Sequence, residues 1–225
     1  MLFRSALIAV LMCSSRLARA QSSSAKPAPS TLPSISQLLH DVEANYNRMK
    51  TMKAQFRQIV REGRRTVRQE DGTLYLSKPG RMRWEYTAPE AKLFLTEANR
   101  MILYLPAENR VMQTSVKESD DLRAPLRFLL GRLDFDQEFQ RFETLSALQP
   151  LEAGNIVFKT YPKRLAGQVE SMVFEIAGGR QIRRVVITES GGTETEFRFT
   201  GEEANSPVAA EKFRFTPPPG TEIVY

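Results

Sequence analysis

One cysteine and one histidine in 225 residues leave little room for chemistry. Cys13 falls within an N-terminal leader, so the chain beyond it has no thiol nucleophile and no disulfide, and its core must hold it together. His40 has no second histidine with which to share a metal, and no His/Cys set has ligand spacing. No G-x-S-x-G elbow places a serine for a Ser-His-Asp arrangement. Gly-rich loops that open a helix are also missing. Gly178-Gly179 and Gly191-Gly192 sit between strand-like runs and read as turns. Asp134-Phe135-Asp136 has two carboxylates without an EF-hand frame and reads as solvated loop acids. No catalytic residue, metal site or cofactor site is expected, and the enzyme class is set aside.

Long apolar runs are absent too, apart from one near the start. Arg4, the run Ala6–Met12 and Ala18-Arg19-Ala20 make the charged, apolar and cleavage regions of a secretory signal over residues 1–20. The run is shorter than the roughly 20 apolar residues a membrane span needs. Met12 stands where a lipoprotein signal would need a small residue, so lipid attachment at Cys13 is not expected. Without Arg4, Arg16 and Arg19 the formal charge falls from +6 to +3. The remaining bases are interspersed with acids, which argues against a nucleic-acid face. Residues 21–34, rich in Ser, Ala and Pro, read as a disordered linker. Residues 35–225 read as one soluble domain.

What is present is alternation. From Gly72 to Tyr86 two short strands flank Lys78-Pro79-Gly80, with Pro79 and Gly80 suited to a turn. Leu74 and Leu76 share a face, as do Met82, Trp84 and Tyr86, while Arg81, Arg83 and Glu85 lie opposite. Upstream, Ser34 can cap a helix whose stripe is Ile35, Leu38, Leu39, Val42 and Tyr46; His40 lies off it. From Thr51 the period becomes two, and Glu62-Gly63-Arg64 reads as a hairpin turn. Further strands are expected around 93–95, 101–105 and 111–116, then 156–158, 172–176, 182–187 and 195–199. Between the two sets, Asp120 or Asp121 can cap a helix ending at Gly131. Residues 201–209 read as a polar loop and Phe213 and Phe215 as a last strand.

The expected fold is therefore mainly β with covering helices (α+β). It is an unclosed antiparallel barrel of about ten or eleven strands with a helical lid over an apolar cavity. The interior would be lined by Phe56, Leu74, Leu76, Met82, Trp84, Tyr86, Phe94, Ile102, Tyr104 and Phe158. Each residue alone reads as ordinary core. As a set they fit a half-barrel that strand residues cannot fill, leaving an apolar gap suited to acyl chains.

Several segments in this order resemble the LolA family of periplasmic outer-membrane lipoprotein carrier proteins. They are Ala54-Gln55-Phe56-Arg57-Gln58, then Gly72-Thr73-Leu74-Tyr75-Leu76 with Lys78-Pro79 and Arg83-Trp84-Glu85-Tyr86. Pro89, Leu93-Phe94-Leu95 and Tyr104 keep the spacing, and Lys212-Phe213-Arg214-Phe215-Thr216-Pro217-Pro218-Pro219-Gly220 matches the closing motif. The resemblance implies a periplasmic monomer that shields lipoprotein acyl chains. Cargo would come from an inner-membrane ABC transporter donor and pass to an outer-membrane acceptor. It also implies that the residue before Pro79 controls the lid. The family usually has arginine there and this chain has Lys78, with Arg81 or Arg83 as substitutes for the lost donors. Ala98 replaces a turn glycine, so Asn99 is expected to take the positive φ. Two other readings fit the same fold: a lipid-sensing regulatory module, and a shuttle for another amphiphile such as a glycolipid.

Overall fold

In the computed structural model, which describes residues 34–97, 100–115, 132–146, 148–165 and 167–225, a sheet of twelve strands organises the chain. The first meander holds β1 (Thr51–Glu62), β2 (Arg65–Ser77), β3 (Arg81–Ala88), β4 (Lys92–Glu97), β5 (Arg100–Leu105) and β6 (Arg110–Ser115). The second holds β7 (Phe139–Thr144), β8 (Ile156–Pro162), β9 (Val169–Ile176), β10 (Ile182–Glu189) and β11 (Thr193–Ala204). The two meet where β1 pairs with β11. A short strand, β12 (Glu222–Val224), adds in parallel to the outside of β6. The edges β12 and β7 do not pair, so the barrel is unclosed. Among the described residues no helix is long and apolar enough to cross a membrane.

The register explains why the Gly72–Tyr86 stretch sits at the centre. Ala54, Leu74, Trp84, Phe94 and Leu103 face one another across β1 to β5, forming one apolar row. Phe56 and Tyr86 flank Gly72 in the next row, and their rings meet edge to face at 4.9 Å. Gly72 is required there. A Cβ would lie 2.1 Å from the Glu85 carbonyl oxygen and 2.8 Å from the Phe56 ring.

Helix α1 (Ile35–Arg48) covers this face. Ser34 Oγ caps it by accepting the Gln37 N–H at 3.2 Å. Leu38, Leu39, Val42 and Tyr46 are buried in the same cluster as the apolar row. Tyr46 is also tied by its hydroxyl, which donates to Glu202 Oε2 at 2.7 Å and accepts the Ile182 N–H at 2.9 Å. Burial, then the nearby Glu202 carboxylate, push the Tyr46 hydroxyl well above its usual pKa, so it stays a donor. Burial also raises the Glu202 carboxyl, an effect partly offset by the Tyr46 bond and the charge of Arg183.

Four expectations need correction. β11 extends through Ala204, so the first part of the expected 201–209 loop is strand. Phe213 belongs to a 3-10 helix, Ala210–Phe213, and the real last strand is β12. The prolines at 217–219 lack backbone donors, which suits them poorly to a sheet ladder. Asp134 is not a free loop acid: it accepts the Gln137 N–H at 2.9 Å and caps a one-turn helix, α2 (Phe135–Glu138), ahead of β7. Ile102 and Tyr104 point away from the apolar row. They share the outer face with Leu95, Val111 and Phe213; β5 is apolar at five successive positions, Met101 to Leu105, so period two cannot choose its inner side. The leader, the linker up to Pro33, the Ala98-Asn99 turn and the helix expected before Gly131 lie outside the described residues.

Two measurements check this account. Gly72→Ala should lower the free energy of unfolding in urea by about 1–3 kcal/mol, because the backbone around Glu85 must give way. Tyr46→Phe should cost about 1–2 kcal/mol at neutral pH. The loss should shrink in acid. A carboxyl whose folded pKa is raised contributes most below its unfolded value, and that contribution is lost as pH rises through the folded one. Without the Tyr46 donor the Glu202 pKa rises further, so the charged form is penalised more.

Candidate functional site

The inner face collects eight of the ten sequence-predicted residues. Phe56, Leu74, Leu76, Met82, Trp84, Tyr86, Phe94 and Phe158 fall in one buried cluster, none more than 5% exposed. Rings dominate it. Trp84 lies 4.6 Å from Phe56 in edge geometry, 5.4 Å from Phe197 and 6.1 Å from Phe199. In the second meander Phe158 and Phe174 stack at 5.4 Å, and Phe135 stands edge-on to Phe174 at 5.5 Å. The sequence reading passed over Phe135, Phe139, Phe174, Phe197 and Phe199. The i, i+4 spacing of Phe135 and Phe139 and the alternation of Phe197 with Phe199 were the available signals.

At the β4–β6 end the face opens into a cleft of about 180 Å³. Phe94, Met101, Leu103, Met112, Val224 and Tyr225 provide its apolar walls. Met112 and Val224 are 46% and 39% exposed, so this cleft reaches solvent while the rest of the face is covered.

The cover is fastened at several points. Arg180, after β9, pairs with Asp41 at 2.8 Å, and its carbonyl accepts from Asn45 at 3.3 Å. Asn47 makes paired bonds with the Leu133 backbone at 2.8 and 2.7 Å, and Glu43 accepts the Phe135 N–H at 2.7 Å. Lys78, in the β2–β3 turn, donates from Nζ to the Tyr46 carbonyl at 2.8 Å. This carbonyl lies in the last turn of α1, where it also accepts the Met49 N–H at 3.2 Å and where a cation is favoured by the helix dipole. Partial burial lowers the Lys78 pKa. The expected substitutes do not reach α1. Arg81 bonds Ser77 and lies over the Phe213 ring, and Arg83 bonds Glu85 and the Lys212 carbonyl, all toward the outer face. A groove of about 880 Å³ runs beside the fastening, lined by His40, Glu43, Arg48, Lys50, Lys78 and Arg132 among others.

Chemically, the arrangement is a hydrophobic sheet face covered by a helix that is held to it by burial and by polar contacts. Among the described residues no group of three His, Cys, Asp or Glu side chains could hold a metal. His40 is exposed and near Glu43, at 3.3 Å.

The profile of a family described as "Outer membrane lipoprotein carrier protein LolA" matches residues 47–216. The outer-membrane lipoprotein carrier protein of Pseudoalteromonas translucida (strain TAC 125) is 29% identical over 191 residues, 84% of this chain and 86% of that one. Its counterpart in Dechloromonas aromatica (strain RCB) is 30% identical over 190 residues, 83% of this chain and 85% of that one. A solved structure, an uncharacterized conserved protein from Thermus thermophilus, superposes with a TM-score of 0.52 at 12% identity. That match covers 84% of this chain and 97% of the other and concerns fold alone. With its first strand, its central hairpin and the start of its closing segment inside the matched region, the chain belongs to the LolA family of outer membrane lipoprotein carrier proteins.

Proposed function

We propose that this protein is a periplasmic carrier of lipoproteins. It would shield their acyl chains against the inner face of the sheet between an inner-membrane ABC transporter donor and an outer-membrane acceptor. The carrying observation is the combination of a continuous apolar face with a helix tied over it by separable polar contacts. The named relatives at 29% and 30% identity are both outer-membrane lipoprotein carrier proteins, which supports the cargo class. Residues 1–20 would direct export, and the carrier would act as a monomer.

The mechanism follows from packing. As arranged, side chains of α1 and the strands fill the interior, so an acyl chain enters by displacing α1. Uptake exchanges helix-to-sheet contacts for chain-to-sheet contacts. Release is the reverse, with α1 reseating and expelling the chain. The Lys78 bond to Tyr46 favours the seated helix and therefore favours release.

Two experiments test this reading. Lipopeptides of increasing acyl length should displace an apolar fluorescent probe, tightening about fourfold per methylene, the equivalent of about 0.8 kcal/mol. An unacylated peptide should not displace it. A flat length series would remove the acyl-binding reading, and displacement by a glycolipid alone would redirect it to another amphiphile. In stopped-flow exchange, Lys78→Leu should slow release by about threefold to tenfold while uptake changes by less than about twofold. Equal release rates in variant and parent would remove Lys78 from control of the helix.

A further inference from the structure

Trp84 is fully buried in the aromatic cluster, yet its Nε1–H has no hydrogen-bond partner among the described residues. Its neighbours on the inner face are Phe56, Phe197, Phe199 and its cross-strand partner Phe94. A buried indole N–H normally finds an acceptor, and leaving one unpaired is costly. The other described side chains with a buried atom outside any hydrogen bond are all charged Arg or Glu, and two of those atoms, Glu70 Oε2 and Glu175 Oε2, lie in ion pairs. Among the described residues Trp84 alone combines an unmet donor with an apolar setting.

The donor also stands on the path that cargo would follow. Phe94 and Leu103 line the solvent-reaching cleft, and the row Leu103, Phe94, Trp84 continues from it beneath α1. An acyl chain is joined to the rest of its lipid through a carbonyl, the acceptor nearest its methylenes. We infer that Trp84 is a specificity residue whose indole N–H donates to the acyl carbonyl oxygen of the bound lipid. The inference rests on the carrier reading and deepens it by naming the linkage that is recognised. A neutral donor among rings suits an ester or amide carbonyl. It does not suit the carboxylate of a free fatty acid, which would lose its hydration without gaining a countercharge. Methylenes then supply affinity, and the single polar contact sets how far the chain advances.

The test uses the chain's only tryptophan, whose indole resonance is therefore unique. The mature protein, labelled with nitrogen-15, is titrated with a diacylated lipopeptide carrying ester-linked chains and with its ether-linked counterpart, which lacks the carbonyls. The ester compound should move the indole proton downfield, and the ether compound should not. Parent protein should prefer ester to ether by about tenfold, the worth of satisfying one buried donor. Trp84→Phe should bind the two alike, and palmitate should bind the parent more weakly than the ester does. An indole proton unmoved at saturation with the ester lipopeptide would overturn the inference, as would equal affinity of the parent for ester and ether. Neither result touches the carrier reading, which is decided separately by whether lipopeptides displace the probe with the expected dependence on acyl length. Because the resonance is read in the parent protein, the conclusion does not depend on the variant folding well.

Discussion

The seat of helix α1 on the sheet is the constraint on which the interior depends, and Tyr46 is where that seat is fixed. One residue uses its ring for the core, its hydroxyl for Glu202 and Ile182, and its carbonyl for Lys78. The contacts reach β10, β11 and the β2–β3 turn, so strands far apart in sequence are joined through one side chain and its backbone. Were α1 absent, the row from Ala54 to Leu103 would be bare apolar surface, the kind that soluble proteins cover or use for binding.

Magnitudes show why such a seat can be both firm and removable. Each buried aliphatic side chain of α1 contributes about 1.5–3 kcal/mol. Each polar tie contributes about 1 kcal/mol net. Burial therefore dominates, and burial is what an acyl chain can replace in kind, at about 0.8 kcal/mol per methylene. The polar ties have no such replacement. They are the part of the balance that always favours the seated helix, which keeps exchange close to even over a chain of ordinary length.

Much of this was legible before the fold was seen. The alternation from Gly72 to Tyr86 gave the correct inner face because the opposite positions are charged, as Arg81, Arg83 and Glu85 show. The stripe of α1 and its Ser34 cap were equally plain. Strand β5 was not, since Met101, Ile102, Leu103, Tyr104 and Leu105 are all apolar and both of its faces carry apolar side chains. Phe213 and Phe215 alternate like a strand, yet they cap the outer patch from a 3-10 helix and the segment after it. That patch depends on a chain reversal no local pattern encodes. The partners of Tyr46 and Lys78 are long-range as well. Glu202 lies 156 residues from Tyr46, and Lys78 lies 32 residues away. A departure from a family arginine could be read in the sequence, but not where the lysine would reach.

The seam between β1 and β11 carries a separate consequence, for how the chain comes to be folded. Arg61 donates to Glu196 diagonally across it, 135 positions apart. Strands β1 to β6 can zip together from local hairpins, but the far side of β1 stays an open edge until β11 arrives. Contacts of such separation form slowly and expose sheet edges meanwhile. A chain that emerges N-terminus first thus presents a half-sheet with an open edge, over which α1 still lacks the Glu202 and Ile182 ties that complete its seat. The protein that shelters greasy cargo would itself need shelter at birth.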